Sequence, residues 1–142
     1  MTPYRPEAYL LAAVLLLPAV AAARQPQTGC ADLADLELPL TRITTAAAVE
    51  AGSLDPPGRT PRLADMPAIC RVAGVIEPAV RFEVWLPLAD WNGKLQGVGN
   101  GGMAGTISYG PMAAAVGRGY AAASTDTGHE ASGNAFDASW AL

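Results

Sequence analysis

The chain has one histidine, two cysteines and nine lysines plus arginines among its 142 residues, and each scarcity closes off a class of function. A single histidine with no neighbouring histidine, cysteine or cluster of acids offers too few donors for a tetrahedral metal shell. No metal site is expected in this segment. A net charge of −4 without any basic cluster leaves nothing to neutralise a phosphate backbone, which argues against nucleic acid as a partner. No G-x-S-x-G pentapeptide occurs, so the sharp turn that presents a hydrolase serine is not encoded in that form. Long apolar runs are scarce too: residues 10–20 are apolar but broken by Pro18, well short of the ~20 residues that cross a bilayer. No stable membrane span is expected.

That same short run has the form of a leader. Arg5 precedes it and Ala21-Ala22-Ala23 follows it, a positive region, an apolar region and a small-residue cleavage site in the order of a secretory signal. Residues 1–23 are therefore read as a signal peptide, residues 24–66 as an amino-terminal arm, and residues 67–142 as the first part of a larger domain. The destination is secreted or periplasmic. In such a compartment Cys30 and Cys70, the only cysteines, are expected to be oxidised. They are expected to form a disulfide with each other; the alternative is that each pairs with a cysteine outside this segment.

Along the chain, residues 31–38 read as a short helix or turn ended by Pro39, and residues 41–45 as a β-branched strand. The alanine-rich stretch to Ala51 is expected to be helical. Residues 53–61, with Pro56, Pro57, Gly58 and Pro61, are a loop. Residues 68–76 and 81–86 flank Glu77-Pro78-Ala79 as two strands. In the second, Phe82, Val84 and Leu86 share one face and Arg81, Glu83 and Trp85 the other, and one face is buried. A short strand at residues 94–98 leads into a glycine loop. Pro111 opens a helix that closes near Gly117 to Gly119, and residues 120–125 form a buried strand ending at Asp126. Strand, loop, helix, strand make a βαβ unit.

The glycine loop is the most informative feature. Gly97-Val98-Gly99-Asn100-Gly101-Gly102-Met103-Ala104-Gly105 leaves backbone N–H groups unshielded, and such groups bind anions or developing oxyanions. The hexapeptide Gly97 to Gly102 also matches G-x-G-x-x-G, with Asp126 at the end of the next strand, as in a dinucleotide site. Against a nucleotide-dependent oxidoreductase, Gly105, Gly110 and Pro111 delay the helix that would have to receive the pyrophosphate. The bland alternative is that the glycines serve only a tight turn, in a secreted domain that binds without catalysis. Ser124, Asp126 and His129 offer a serine, an acid and a histidine, but groups this close along one strand end rarely converge as a triad. Asp126 and His129 are expected to shape their turn by hydrogen bonds.

Five segments give the chain a family likeness: Met66-Pro67-Ala68-Ile69-Cys70-Arg71-Val72, Val84-Trp85-Leu86-Pro87, Trp91-Asn92-Gly93-Lys94, Gly97-Val98-Gly99-Asn100-Gly101-Gly102 and Asp126-Thr127-Gly128-His129. From about Cys30 to Leu142 the chain resembles the amino-terminal part of the tannase and feruloyl esterase family, secreted serine hydrolases of the α/β-hydrolase fold. The resemblance implies an α/β fold that is incomplete here, and an acyl-enzyme mechanism acting on small aromatic esters such as feruloyl or galloyl esters. It makes Asn100-Gly101-Gly102 the oxyanion loop, with Gly101 the first choice of donor, in a turn expected to call for positive φ, and Gly102 the second. It places the nucleophile, in a C-S-x-G-G motif, and the triad's acid and base beyond Leu142. No cofactor belongs to this segment, and the calcium ion that some members carry belongs to a lid domain beyond it.

Overall fold

The computed structural model describes residues 29–57, 63–102, 104–129 and 139. The expected leader at residues 1–23, part of the proline loop and Trp140 lie outside the described residues. Five strands form one sheet: β1 (Thr41–Val49), β2 (Ile69–Ile76), β3 (Val80–Pro87), β4 (Leu95–Gly97) and β5 (Ala121–Thr125), with the helix α1 (Tyr109–Val116) between the last two. Their spatial order is β1-β2-β3-β5-β4. Neighbours are antiparallel except β4 and β5, which run parallel because α1 carries the chain back across the sheet. The carboxyl ends of β4 and β5 therefore meet at one edge, where open α/β sheets place their ligands.

Strand β1 corrects the reading of the alanines as helix. A helix fitted between Thr45 and Gly52 would have been too short to offset the cost of its first turn. β2 supplies a ladder instead, with Ala46 opposite Val72 and Ala48 opposite Cys70. Pairing overrides alanine's intrinsic preference. The register shifts between Ile43 and Thr45, and the Thr44 hydroxyl donates to the Ala73 carbonyl at 3.1 Å. The hairpin of β2 and β3 turns through a cis Glu77–Pro78 peptide.

In β3 the buried face is that of Glu83 and Trp85, at 4% and 0% exposure, while Phe82, Val84 and Leu86 are only half-buried. The reason is α1, which covers Trp85: Met112, Ala115 and Val116 join Trp85, Ile69, Leu54, Met66 and Ala122 in one core. Small residues along β5 let the helix approach. The helix starts at Tyr109 rather than at Pro111, and Pro111 is tolerated because first-turn N–H groups have no partner within the helix. A disulfide joins Cys30 to Cys70, with S–S 1.99 Å and Cα–Cα 5.6 Å, and ties the 3-10 turn Ala31–Asp35 to β2.

Candidate active site

The glycine loop leaves β4 at the carboxyl edge. Its first residue is still held by the sheet, the Val98 N–H donating to the Ala123 carbonyl at 2.8 Å. Beyond it packing contributes little, since a Cβ added at Gly99 or Gly101 would meet nothing within 4 Å. Gly101 and Gly102 are exposed, and among the described residues no hydrogen bond uses either N–H. The left-handed residue is Gly102, at φ 59°, and not Gly101. The conformational need thus falls on Gly102 and not on Gly101.

Side chains close the loop. Asn100 Nδ2 donates to the Thr106 carbonyl at 2.8 Å and to the Thr125 carbonyl at 3.4 Å. Ser108 Oγ donates to the Gly99 carbonyl at 2.9 Å, and the Ser108 N–H donates to Ser124 Oγ at 3.1 Å. Ser124 is 3% exposed, so its hydroxyl fastens the loop to β5 from beneath.

The turn after β5 faces the loop. Asp126, buried at 2% exposure, accepts from the Arg81 N–H at 2.9 Å, from Arg81 Nε at 2.7 Å and from the Gly128 N–H at 2.9 Å. Thr127 sits at φ 59°, with its hydroxyl donating to the Asp126 carbonyl at 2.6 Å and lying 3.2 Å from His129 Nδ1. His129 is pressed against Gly105, where a Cβ would come within 2.6 Å of the His129 carbonyl oxygen and 2.7 Å of Nε2. That approach explains why Asp126-Thr127-Gly128-His129 accompanies the glycine loop in the sequence. Ser124 and Asp126 bond to Ser108 and to Arg81 and Gly128, so neither serves His129 as a triad partner would.

Behind the loop a buried carboxylate anchors the start of α1. Glu83 pairs with Arg71 through Nε at 2.9 Å and through Nη2 at 2.5 Å, and accepts from Trp85 Nε1 at 2.7 Å and the Tyr109 hydroxyl at 3.1 Å. The bond to Glu83 raises the Arg71 pKa. Burial, then the neighbouring Glu83 charge, pushes the Tyr109 phenol up to about 12. The sequence reading missed this network, although a glutamate and an arginine set in two apolar strands are a signal of buried pairing. An open cavity of about 640 Å³ lies between these groups, lined among others by Glu83, Arg81, Gly105, Thr106, Tyr109 and Asp126. A second cavity, about 720 Å³, opens beside Asp65, Asp90, Arg118 and Gly119, toward the amino end of β5. The first is at the edge where ligands of such sheets bind.

A dinucleotide does not fit this geometry. α1 begins at Tyr109, well past Gly102, and no helix N-terminus stands at the third glycine to receive a pyrophosphate. Among the described residues no group of three or more His, Cys, Asp or Glu is gathered around a point that could hold a metal ion, and no helix is long and apolar enough to cross a membrane.

A parallel β4–α1–β5 unit within a mixed sheet, its glycine loop at the carboxyl edge, is part of an α/β-hydrolase fold. Two solved structures are similar to it. An esterase from Aspergillus oryzae superposes with a TM-score of 0.61 at 26% identity, covering 71% of this chain and 22% of that one. Feruloyl esterase B from Aspergillus oryzae gives 0.62 at 27% identity, covering 71% and 21%. An uncharacterized esterase of Xanthomonas campestris pv. campestris is 43% identical over 136 residues, which are 93% of this chain and 23% of that protein. The profile described as tannase and feruloyl esterase matches residues 65–142, and the chain belongs to that family. It spans less than a quarter of the length of each of these relatives.

Proposed function

We propose that this chain is the amino-terminal portion of an exported serine esterase that hydrolyses small aromatic carboxylic esters, and that Gly101 and Gly102 supply its oxyanion loop. The observation that carries the reading is a pair of exposed glycines at the carboxyl edge of the sheet whose N–H groups take no hydrogen bond among the described residues, in a family of esterases. In this fold one oxyanion donor follows the nucleophile and the other comes from the loop after the third strand of the hydrolase sheet. The likeness to a feruloyl esterase supports an aromatic acid as the acyl group, and the disulfide suits an oxidising compartment.

In the mechanism proposed, a serine from beyond Leu142 attacks the ester carbonyl carbon while a histidine takes its proton. The carbonyl π pair moves onto oxygen, and the loop N–H groups stabilise that charge where it develops. Collapse breaks the bond to the alcohol, which leaves with the histidine's proton. Water then hydrolyses the acyl-enzyme by the same steps. The test is to express the full-length protein and assay methyl ferulate and methyl gallate beside an aliphatic ester. Turnover of the aromatic esters, abolished by a serine-directed phosphonate that adds once per chain, is the expected result. Absence of aromatic ester turnover removes the reading.

A further inference from the structure

We propose that Asn100 is the positioning residue of the oxyanion loop, orienting the peptide that carries the Gly101 N–H; the inference rests on the esterase reading above. After Val98 the loop leaves the ladder, and Gly99 and Gly101 have no neighbours within reach of a Cβ. Glycine is the residue least restrained by its own sterics, so a loop of this composition keeps one conformation only if something else imposes it. The two hydrogen bonds from the Asn100 amide do so. They join the start of the loop to its far side at Thr106 and to the end of β5 at Thr125.

The geometry is specific to this position. The Gly101 N–H belongs to the peptide unit that begins at the Cα of Asn100, so fixing the Asn100 side chain fixes the direction from which that plane departs. Ser108 and Ser124 hold the Gly99 carbonyl and the loop's exit, but neither is bonded to that peptide. An amide is also the right group: its two protons match two carbonyl acceptors. An ionised aspartate of the same shape would set a carboxylate against both carbonyls and donate nothing.

The experiment uses the full-length enzyme with Asn100→Asp and Asn100→Ala. kcat and KM for an aromatic ester are measured across pH, with each rate divided by the active sites found by exhaustive phosphonate titration, so unfolded protein is not counted. A misplaced catalytic group costs up to ~10²-fold, and the expected result is a kcat lower by ~10- to 100-fold in both variants with KM little changed. The Asn100→Asp rate, as a ratio to wild type, should recover as pH falls into the carboxyl range, because a protonated carboxyl regains one donor. Asn100→Ala should show no recovery. An unchanged kcat per active site, or a joint change of kcat and KM without pH-dependent recovery, overturns the proposal while wild-type turnover leaves the esterase reading standing. A wild-type enzyme with no aromatic ester turnover overturns both.

Discussion

Gly101 and Gly102 differ by what each needs. Gly102 lies at φ 59°, a region that costs a residue with a Cβ about 1–2 kcal/mol, whereas Gly101 has neither a left-handed φ nor a neighbour in its way. Gly102→Ala is expected to lower stability by about that amount, and Gly101→Ala to leave it unchanged or slightly raised, since alanine restricts the unfolded chain. Urea denaturation of the two variants side by side checks this. That a loop leaves β4 here was legible from its glycines, but which glycine takes a positive φ was not, because sequence carries no φ. Tyr109 is a second case. Its phenol, half-buried beside Glu83, has its pKa raised to about 12 from an ordinary value near 10. The folded state thus holds this proton more tightly than the unfolded chain. The stability it contributes is intact below pH ~10 and is lost as pH rises from there through ~12. An ultraviolet titration should contain a phenol phase near pH 12, and Tyr109→Phe should delete it.

At the scale of elements, side chains bind the strands across the sheet. Glu83 on β3 reaches Arg71 on β2 and Tyr109 on α1, so one carboxylate fixes the start of the helix that follows the glycine loop. Glu83→Gln leaves the Arg71 guanidinium without its counter-charge. Such a loss costs about 3–5 kcal/mol when both groups are fully buried. Arg71 is 24% exposed, so about 2–3 kcal/mol is expected in chemical denaturation. The disulfide acts on the arm in the same way. Linking residues 40 apart removes roughly 4 kcal/mol of freedom from the unfolded chain, and a Cys30→Ser, Cys70→Ser variant should lose a comparable amount, matched by the wild type under reductant. Equal urea midpoints for variant and oxidised wild type would assign the arm's stability to β1 instead. The second half of that strand was hidden in the sequence by its alanines, whose local preference is helical. Only the partner strand, distant in sequence, decides otherwise. The βαβ unit was legible because its Gly and Pro punctuation is local. The buried face of β3 was not, because a salt bridge inverts the usual rule that the charged side faces water.

For the whole molecule the question is what this much of the fold does alone. Among the described residues the sheet ends on this side at β4, three residues long and bearing Leu95 at 64% exposure, although strands of parallel pairs are ordinarily covered on both faces. In our reading further strands of the complete esterase pack there and bring the nucleophile to the glycine loop. The 142-residue chain would then hold an oxyanion loop and part of a pocket but no group to attack the ester. Positioned donors without a nucleophile cannot form an acyl-enzyme. The purified chain is therefore expected to hydrolyse methyl ferulate no faster than buffer, and to gain nothing from added base. Ser124 is the hydroxyl that would have to contradict this. It is 3% exposed and accepts the Ser108 N–H, so an ester carbonyl has no path to it, and Asp126 is spent on Arg81 and Gly128. Turnover by the isolated chain that disappears in Ser124→Ala would prove that this serine is the nucleophile, and would replace the incomplete-enzyme reading with a minimal esterase. Turnover that survives Ser124→Ala would point to contamination.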